Sequence, residues 1–592
     1  MTAAASTDTA STDTASTRLV RAASLERLRA SGPLVVAAGG ETICLFADGG
    51  EVHAVDNRCP HMGFPLHRGT VADGVLTCHW HHARFDLCTG GTFDQWADDL
   101  RRFPVELDGD DVLVDVSPRA DAVTHQRRRL HDGLARDLRL VVAKAAVALV
   151  EAEPSGVEAF RAGLDFGVTR RAGGWSRGLT TLTCLTRLVP HLEAADRAAA
   201  LYHGLADVAA DSAGHPPRFA LEPLPGARAT PERLERWFRR FVEVRDAEAA
   251  ERALVSAVRA GASPVQLADM LFAAATDHRY LDSGHTLDFV NKAVEALDVA
   301  GWDRAEAVLA SLPAQLTGAE RMEESNAWRN PVDVVALLEA AFDQLPEAAA
   351  RATGAVWDGR GALVELVLDA EPPAVFDALL HALRAGATPV DVASAVSFAA
   401  ATRIARFPVT NEFGDWDTAL HTFTFANAVE QGLRRSPSVE LLRGVFDAAA
   451  SVYLDRFLNV PATRLPEPEP EASPAELLEE LPRLLDGQQH VDDAGRLDAS
   501  YHGSGGDPAA LVAALGHCLL RDDRNFHTIQ CVEAAVRQHE LLGGSGDAAL
   551  PLVAAARYLA AHAPTARAQR QTFDIARRLH RGDALHEEAS AS

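Results

Sequence analysis

Cys59-Pro60-His61 and Cys78-His79-Trp80-His81 decide how this chain is read. The first stretch has C-x-H spacing, the second C-x-x-H, and residues 62–77 lie between them. Each contributes one thiol and one imidazole, so two loops must meet tip to tip if the four side chains act together. Two thiolates can hold one iron of a [2Fe–2S] cluster and two imidazoles the other. The same four side chains can also hold a single zinc, which accepts mixed Cys and His ligands.

The surroundings of these two loops resemble the Rieske family. Cys59-Pro60-His61 opens one loop. Cys78-His79-Trp80-His81, followed by Ala83-Arg84-Phe85-Asp86 and Thr89-Gly90, is similar to the family's second loop, and Asp99-Leu100 with Phe103-Pro104-Val105 resembles its closing strand. The flanking Phe-Asp and Thr-Gly have no reason to be there for zinc. The resemblance covers roughly residues 18–120 and implies Cys59, His61, Cys78 and His81 as the ligands of a [2Fe–2S] cluster. One position departs from it: the glycine usual after the second ligand histidine is His82, so three histidines fall within four residues. The C-x-x-H spacing selects His81. High-potential members carry an additional cysteine in each loop, joined in a disulfide. Phe64 and Trp80 stand at those positions, which implies the ferredoxin or oxygenase subtype, with a potential near the low end of the range, roughly −150 mV. Such a centre passes on single electrons and does not itself oxidise substrates.

Working outward, short strand-like runs at Leu34–Ala37, Thr42–Phe46 and Val52–Val55 are separated by Gly39-Gly40 and Asp48-Gly49-Gly50 turns, and Val112–Val116 makes a last strand. This predicts a small antiparallel all-β domain over residues 18–120. Cys44 falls in a strand and Cys88 beside the second loop, and both read as packing residues. Residues 1–17 repeat Ala, Ser, Thr and Asp without a packable side chain and predict a disordered tail.

After Ser117-Pro118 the composition shifts to Ala, Leu, Arg and Glu at helical spacing and stays so to the end of the chain. Residues 121–592 therefore read as a large all-α domain, with a possible internal break near 464–474, where Pro alternates with Glu. Val258-Arg-Ala-Gly-Ala-Ser-Pro-Val recurs as Leu383-Arg-Ala-Gly-Ala-Thr-Pro-Val. Ser263 and Thr388 are N-caps there, with Pro at the first helical position. His285-Thr-Leu-Asp-Phe-Val-Asn recurs as His421-Thr-Phe-Thr-Phe-Ala-Asn and His527-Thr-Ile-Gln-Cys-Val-Glu, with a fainter copy at Thr180-Thr-Leu-Thr-Cys-Leu-Thr. About four helical repeats, stacked or closed around an axis, follow from this.

In each unit a helix ends, a loop follows and the His-Thr helix begins. Units facing a common axis would bring His278, His285, His421, His517 and His527 together as candidate ligands of Fe(II) or another divalent metal. Asp277, Asp282, Glu412, Asp415, Asp417, Asp522 and Asp523 lie in the same loops, and one of them would complete a two-histidine, one-carboxylate site with open positions. His-Thr at a repeat also has a plain role in capping and packing. His203 and His502, in Tyr-His-Gly stretches, are candidates for the wall of the same cavity.

Composition narrows the function. A formal net charge of −26 argues against nucleic acid or an anionic membrane surface as partner. The hydrophobic fraction of 47% is ample for large cores, and no apolar run approaches a membrane span. Of the seven cysteines two go to the cluster and the five scattered ones read as reduced thiols, and the N-terminus lacks an apolar signal core, so a cytoplasmic location is expected. No G-x-G-x-x-G after a strand, P-loop or C-x-x-C-H is present, so nucleotide, flavin and haem sites are not predicted and electrons must arrive from a separate reductase or ferredoxin. The D-x-x-H-x-x-x-x-H type pattern of the usual Rieske oxygenase catalytic domain is also missing. The expectation is a Rieske carrier fused to a helical, metal-dependent oxidoreductase, an oxygenase acting on a small organic substrate. The alternatives are a redox carrier or sensor on a helical protein-binding scaffold without a second metal, and a metal-free helical domain using histidines as acids and bases.

Overall fold

The computed structural model of the 592-residue chain describes residues 18–117, 122–226, 229–352, 354, 357–469, 473–583 and 585. The tail expected at residues 1–17 and the boundary at 118–121 lie outside them. Two compact units result. Of the described residues, one takes in those up to Asp132, Ala143–Ala148 and those from Thr572 onward; the other takes in those of Gly133–Val142 and Leu149–Gln571.

The first unit holds ten short strands: β1 (Leu19–Ser24), β2 (Leu34–Ala38), β3 (Glu41–Asp48), β4 (Glu51–Asp56), β5 (Thr70–Ala72), β6 (Val75–Thr77), β7 (Arg84–Asp86), β8 (Arg102–Phe103), β9 (Val105–Asp108) and β10 (Asp111–Asp115). They form three antiparallel sheets, ordered β2-β3-β4-β8, β1-β10-β9 and β5-β6-β7. The turns fall where the glycines stand: Gly39, Gly40, Gly49 and Gly50 all have positive φ, which residues with a Cβ rarely adopt. Alternation along β3 and β10 sends Ile43, Leu45, Val112 and Val114 into one core, while Cys44 and Phe46 face a second core that also contains Cys59, Cys78, Phe85 and Leu100. The second core lies directly beneath the two Cys-His loops.

Among the described residues, 24 α-helices follow the sheets. The two Gly-x-Ser/Thr-Pro motifs have the same local structure. Ser263 caps helix Pro264–Thr276 and Thr388 caps helix Pro389–Ala405, each in a reciprocal capping box, with Gln266 and Asp391 reaching back. Residues 459–469 and Ser473 have neither helix nor strand.

Four helices make a closed ring in the second unit. They are Arg177–Leu188 (the Thr180 helix), His285–Ala300 (the His285 helix), Phe413–Arg435 (the His421 helix) and Phe526–Leu542 (the His527 helix). Each contacts the next, and the His527 helix returns to the Thr180 helix. All four are buried along most of their length, polar positions included. The His285 helix starts as expected, after Tyr280, Asp282, Ser283 and Gly284, all at positive φ. His421 does not start its helix but is its ninth residue. Glu412 and Asp415 form a capping box upstream, so the helix begins about two turns earlier.

A close approach behind the ring is at Gly204, on helix Ala194–Ser212. A Cβ there would lie 2.7 Å from Leu182 Cα on the Thr180 helix. Gly204→Ala is expected to push these helices apart and lower the unfolding free energy of the helical unit by about 1–3 kcal/mol, read by denaturant unfolding. An unchanged midpoint would show that the crossing is not tight.

Candidate functional site

Two sites emerge, one in each unit. In the first unit, Cys59 and His61 follow β4, and Cys78 and His81 lie between β6 and β7. The loops are held by their own backbones: Cys59 N–H donates to Phe64 O (2.8 Å), Gly63 N–H to Cys59 O (2.7 Å) and Cys78 N–H to Ala83 O (2.8 Å). The structure brings all four side chains together. The Cys59 and Cys78 thiols are buried and hydrogen-bonded to each other, and the His61 and His81 rings stand edge-to-face with centroids 4.8 Å apart. That bond to Cys59, with the Trp80 and His81 N–H groups, holds the Cys78 thiol down at about 6, and the same bond with burial pushes Cys59 up. Burial, then the neighbouring His81 and Lys144, lowers His61 to about 4. His61 Nδ1 is buried and has no hydrogen-bond partner. An orphaned imidazole nitrogen beside two thiols and a second imidazole is a donor set that fits a [2Fe–2S] cluster.

His82 is explained by its backbone. Its φ is +63°, in the left-handed region, where glycine is the unstrained residue. Gly90 also needs its identity: its φ is +79° and a Cβ would sit 2.3 Å from Leu100 O. Beneath the first loop, Lys144 Nζ donates to Pro60 O, to His61 O (3.1 Å) and to Asp98 Oδ2 (3.1 Å). Burial alone would raise Asp98, but Lys144 and Arg129 more than offset it and hold it below the usual carboxylate range. Cys44 is buried, with its thiol pushed up to about 12 by burial, and Cys88 is exposed. Sequence reasoning missed Lys144, because nothing in a lysine within a helix points to a loop 84 residues earlier.

The second site is in the helical ring. His285, His421 and His527 offer ligand atoms that all lie within 4.8 Å of one another. His421 Nε2 and His527 Nε2 are 3.1 Å apart, the separation of two neighbouring nitrogens each about 2.1 Å from one metal. The His285 ring is 4.4 Å from that of His421 and 5.5 Å from that of His527, centre to centre. Burial first, then the neighbouring imidazoles, lowers His285 to about 4 and His421 to about 3. Both are therefore neutral at ordinary pH, as metal ligands must be. Asp417 backs the triad: its Oδ2 is 3.4 Å from His527 Nδ1, its Oδ1 accepts from Tyr558 OH, and His562 Nε2 is 3.7 Å away. A carboxylate on the far nitrogen fixes which nitrogen His527 turns toward the site. Phe289 and Phe526 flank His285. A cavity of about 1090 Å³, lined in part by Phe413, Trp416, Asn525 and Thr528, reaches Asp417 and His562.

The other predicted residues lie elsewhere. His278 sits between Glu243 and Glu323, 2.6 Å from each, and His517 pairs with Asp196 at 2.8 Å. Asp277 is held by Arg239 and Arg443, Asp282 by Thr286 and the Glu320 N–H, and Asp522 by Arg524 and Arg567. Glu412 and Asp415 are capping residues, and Asp523 accepts from the N–H groups of Ala568 and Gln569. Asp417, which lies in the first turns of the His421 helix rather than in a loop as expected, is thus the one of the seven carboxylates that backs the triad. His203 is buried within its helix and His502 lies 3.5 Å from Asp498.

Comparison with known proteins covers the first unit. The Rieske [2Fe-2S] domain model matches residues 18–104. Over 79 residues the chain is 40% identical to the ferredoxin component of biphenyl 2,3-dioxygenase from Rhodococcus jostii (strain RHA1), covering 74% of that protein and 13% of this one. It is 28% identical over 99 residues to the ferredoxin component of the naphthalene 1,2-dioxygenase system from Pseudomonas aeruginosa, covering 95% of that protein and 17% of this one. It is 37% identical over 83 residues to apoptosis-inducing factor 3 from Homo sapiens, covering 14% of each chain, so the match spans about a seventh of that relative's length. Through this N-terminal segment the chain belongs to the Rieske [2Fe–2S] family.

The lowered histidines give a pH test. Below about 6.5 the unfolded chain protonates His285 and His421, while the folded chain does so only near 4 and 3. Stability of the metal-free protein should therefore fall as pH drops from about 6.5 toward 4. Urea unfolding at both ends of this window is expected to show the loss, and His421→Gln should reduce it. An equal loss in the variant would assign it to other groups.

Proposed function

We propose that the protein is a Rieske-dependent oxidoreductase of the oxygenase kind. Its N-terminal unit carries electrons, and its helical unit holds a second, non-haem metal at His285, His421 and His527. Cys59, His61, Cys78 and His81 would hold the [2Fe–2S] cluster, which when bound supplies one electron at a time. The observation that carries the reading is the three-histidine convergence, with nitrogens 3.1 Å apart on two helices far apart in sequence. Three imidazoles suit Fe(II) or another divalent metal and leave coordination positions free.

The chain's own residues have distinct tasks in this reading. Asp417 orients His527 and takes the Tyr558 hydroxyl proton in a hydrogen bond. Phe289 and Phe526 keep water from the His285 side. The cavity beside Asp417, walled by Phe413 and Trp416 with Asn525 and Thr528 at its edge, is where a small organic substrate would sit. Relatives named as ferredoxin components of dioxygenase systems support an electron-carrying role, and the electrons would come from an external reductase or ferredoxin. The acidic balance fits a cytoplasmic protein that meets neither nucleic acid nor membrane. Among the described residues no helix is long and apolar enough to cross a membrane.

Metal analysis and EPR on protein purified without oxygen test this reading. The wild type should contain more iron, or another divalent metal, than the two irons of the cluster. The double variant His285→Ala/His421→Ala should retain the reduced Rieske signal, lose the additional metal and lose turnover. Wild-type protein with only the cluster irons, or a fully active double variant, would favour a carrier on a protein-binding scaffold instead.

A further inference from the structure

Inside the four-helix ring, the layers beyond the histidine triad are polar and buried. Three residues beyond His285 is Asp288, and three beyond His527 is Gln530, one helical turn and about 4.5 Å along the axis. Both are 1% exposed, and Gln530 Nε2 donates to Asp288 Oδ2. In the next layers Lys292 Nζ donates to Glu295 Oε2 (2.9 Å) and Glu533 Oε2 (2.6 Å), and Asn291 Nδ2 donates to Glu295 Oε1 (3.0 Å). Farther along, Glu430 accepts from Gln538 (2.9 Å) and from Arg434 (2.7 Å), whose guanidinium reaches the surface. A structural core does not need this arrangement, because apolar residues would fill the ring at lower cost.

The charge count is informative. The groups facing Asp288 and Lys292 are Glu295 on the same helix, Glu533 on the His527 helix, and Cys184 on the Thr180 helix, with Arg187 of that helix facing Glu295 and Glu533. The Cys184 thiol is held neutral by burial. That leaves two cations, Lys292 and Arg187, with three carboxylates. A dry interior does not tolerate the unmatched charge, and one more proton balances the set. Asp288 is the member without a cation in hydrogen bond, and burial followed by Glu533 and Glu295 raises it to about 7 despite Lys292. Gln530 presents it with an N–H donor and has an Oε1 that is buried without a donor, which a protonated carboxyl can supply.

We propose that Asp288 is the proton donor to the histidine site, holding the shared proton of the Asp288–Lys292–Glu295–Glu533 cluster within the ring. This rests on the reading of the triad as a site where dioxygen is reduced. Each electron arriving from the Rieske cluster would add one negative charge to a partly buried site. A metal held by the three histidines would supply the site of dioxygen reduction; for each electron delivered there the Asp288 O–H bond would break, its proton would pass toward the histidines, and the carboxylate left behind would face Lys292. A proton from solvent then restores Asp288 by way of the carboxylates of the cluster.

Two measurements on the full-length, metal-loaded protein test the proposal. Infrared difference spectra between pH 6 and pH 9 should show the C=O band of a protonated carboxyl that shifts in D2O and is missing in Asp288→Asn. In stopped-flow reoxidation of the reduced Rieske centre by dioxygen, the wild-type rate should depend on metal, show a solvent isotope effect and fall above about pH 7. Asp288→Asn should slow it about 100-fold and flatten the pH profile, with metal content and Rieske EPR unchanged, while Asp288→Glu should restore much of the rate. Absence of the band in the wild type, or a wild-type profile in Asp288→Asn, would overturn the donor role and leave the metal site standing. A wild-type rate independent of metal would remove both.

Discussion

The position of the helical site depends on one buried ion pair. Lys292 is almost wholly removed from water, and an ammonium in such a place must find carboxylates within hydrogen-bond reach. It finds Glu295 on its own helix and Glu533 on another. The second contact sets the longitudinal register of the His285 and His527 helices. Seven residues separate His285 from Lys292, and six separate His527 from Glu533, so matching one pair levels the other. The histidines are then neighbours because the charges below them are. A slip of one turn would separate the imidazoles by about 5 Å and strand a charge in the interior.

The two halves of the chain solve the same problem differently. In the first unit, donors come from two irregular loops, each stiffened by backbone hydrogen bonds and by positive φ at Gly63 and His82. In the second, donors sit on regular helices, and their precision comes from packing. Loops place a thiol or imidazole where no repeating geometry would; helices place side chains at fixed intervals along an axis. The ring exploits that interval three times over, with a histidine, then Asp288, Thr424 or Gln530, one turn on in each of its three histidine-bearing helices.

Legibility in the sequence followed the same division. The loop residues Cys59, His61, Cys78 and His81 could be picked out because their spacing is local and their neighbours are distinctive. The all-α character and the four similar helices could be read from composition and from recurrence of His-Thr. What could not be read was which of the five histidines meet. His278 and His517 occupy similar places before their helices, yet Glu243, Glu323 and Asp196 engage them, and these partners are remote in sequence. The early start of the His421 helix was hidden because Glu412 is a rare cap. Asp417 was one of seven carboxylates of equal standing until the fold set Tyr558 and His562 beside it.

Lys144 alters what should count as the iron–sulfur module. The family match ends at residue 104 and the last strand at Asp115, so a gene fragment cut after the sheets would look complete. It would lack the ammonium that ties down the Pro60 and His61 carbonyls and neutralises Asp98. It would also lack Leu579, near the C-terminus, whose Cδ2 is within 3.1 Å of where a Cβ on Gly63 would be. Electron exchange is fastest when the donor's surroundings rearrange least between oxidation states. A clamp of this kind favours small rearrangement, and it is built from residues of the first compact unit that lie beyond the chain's first hundred residues.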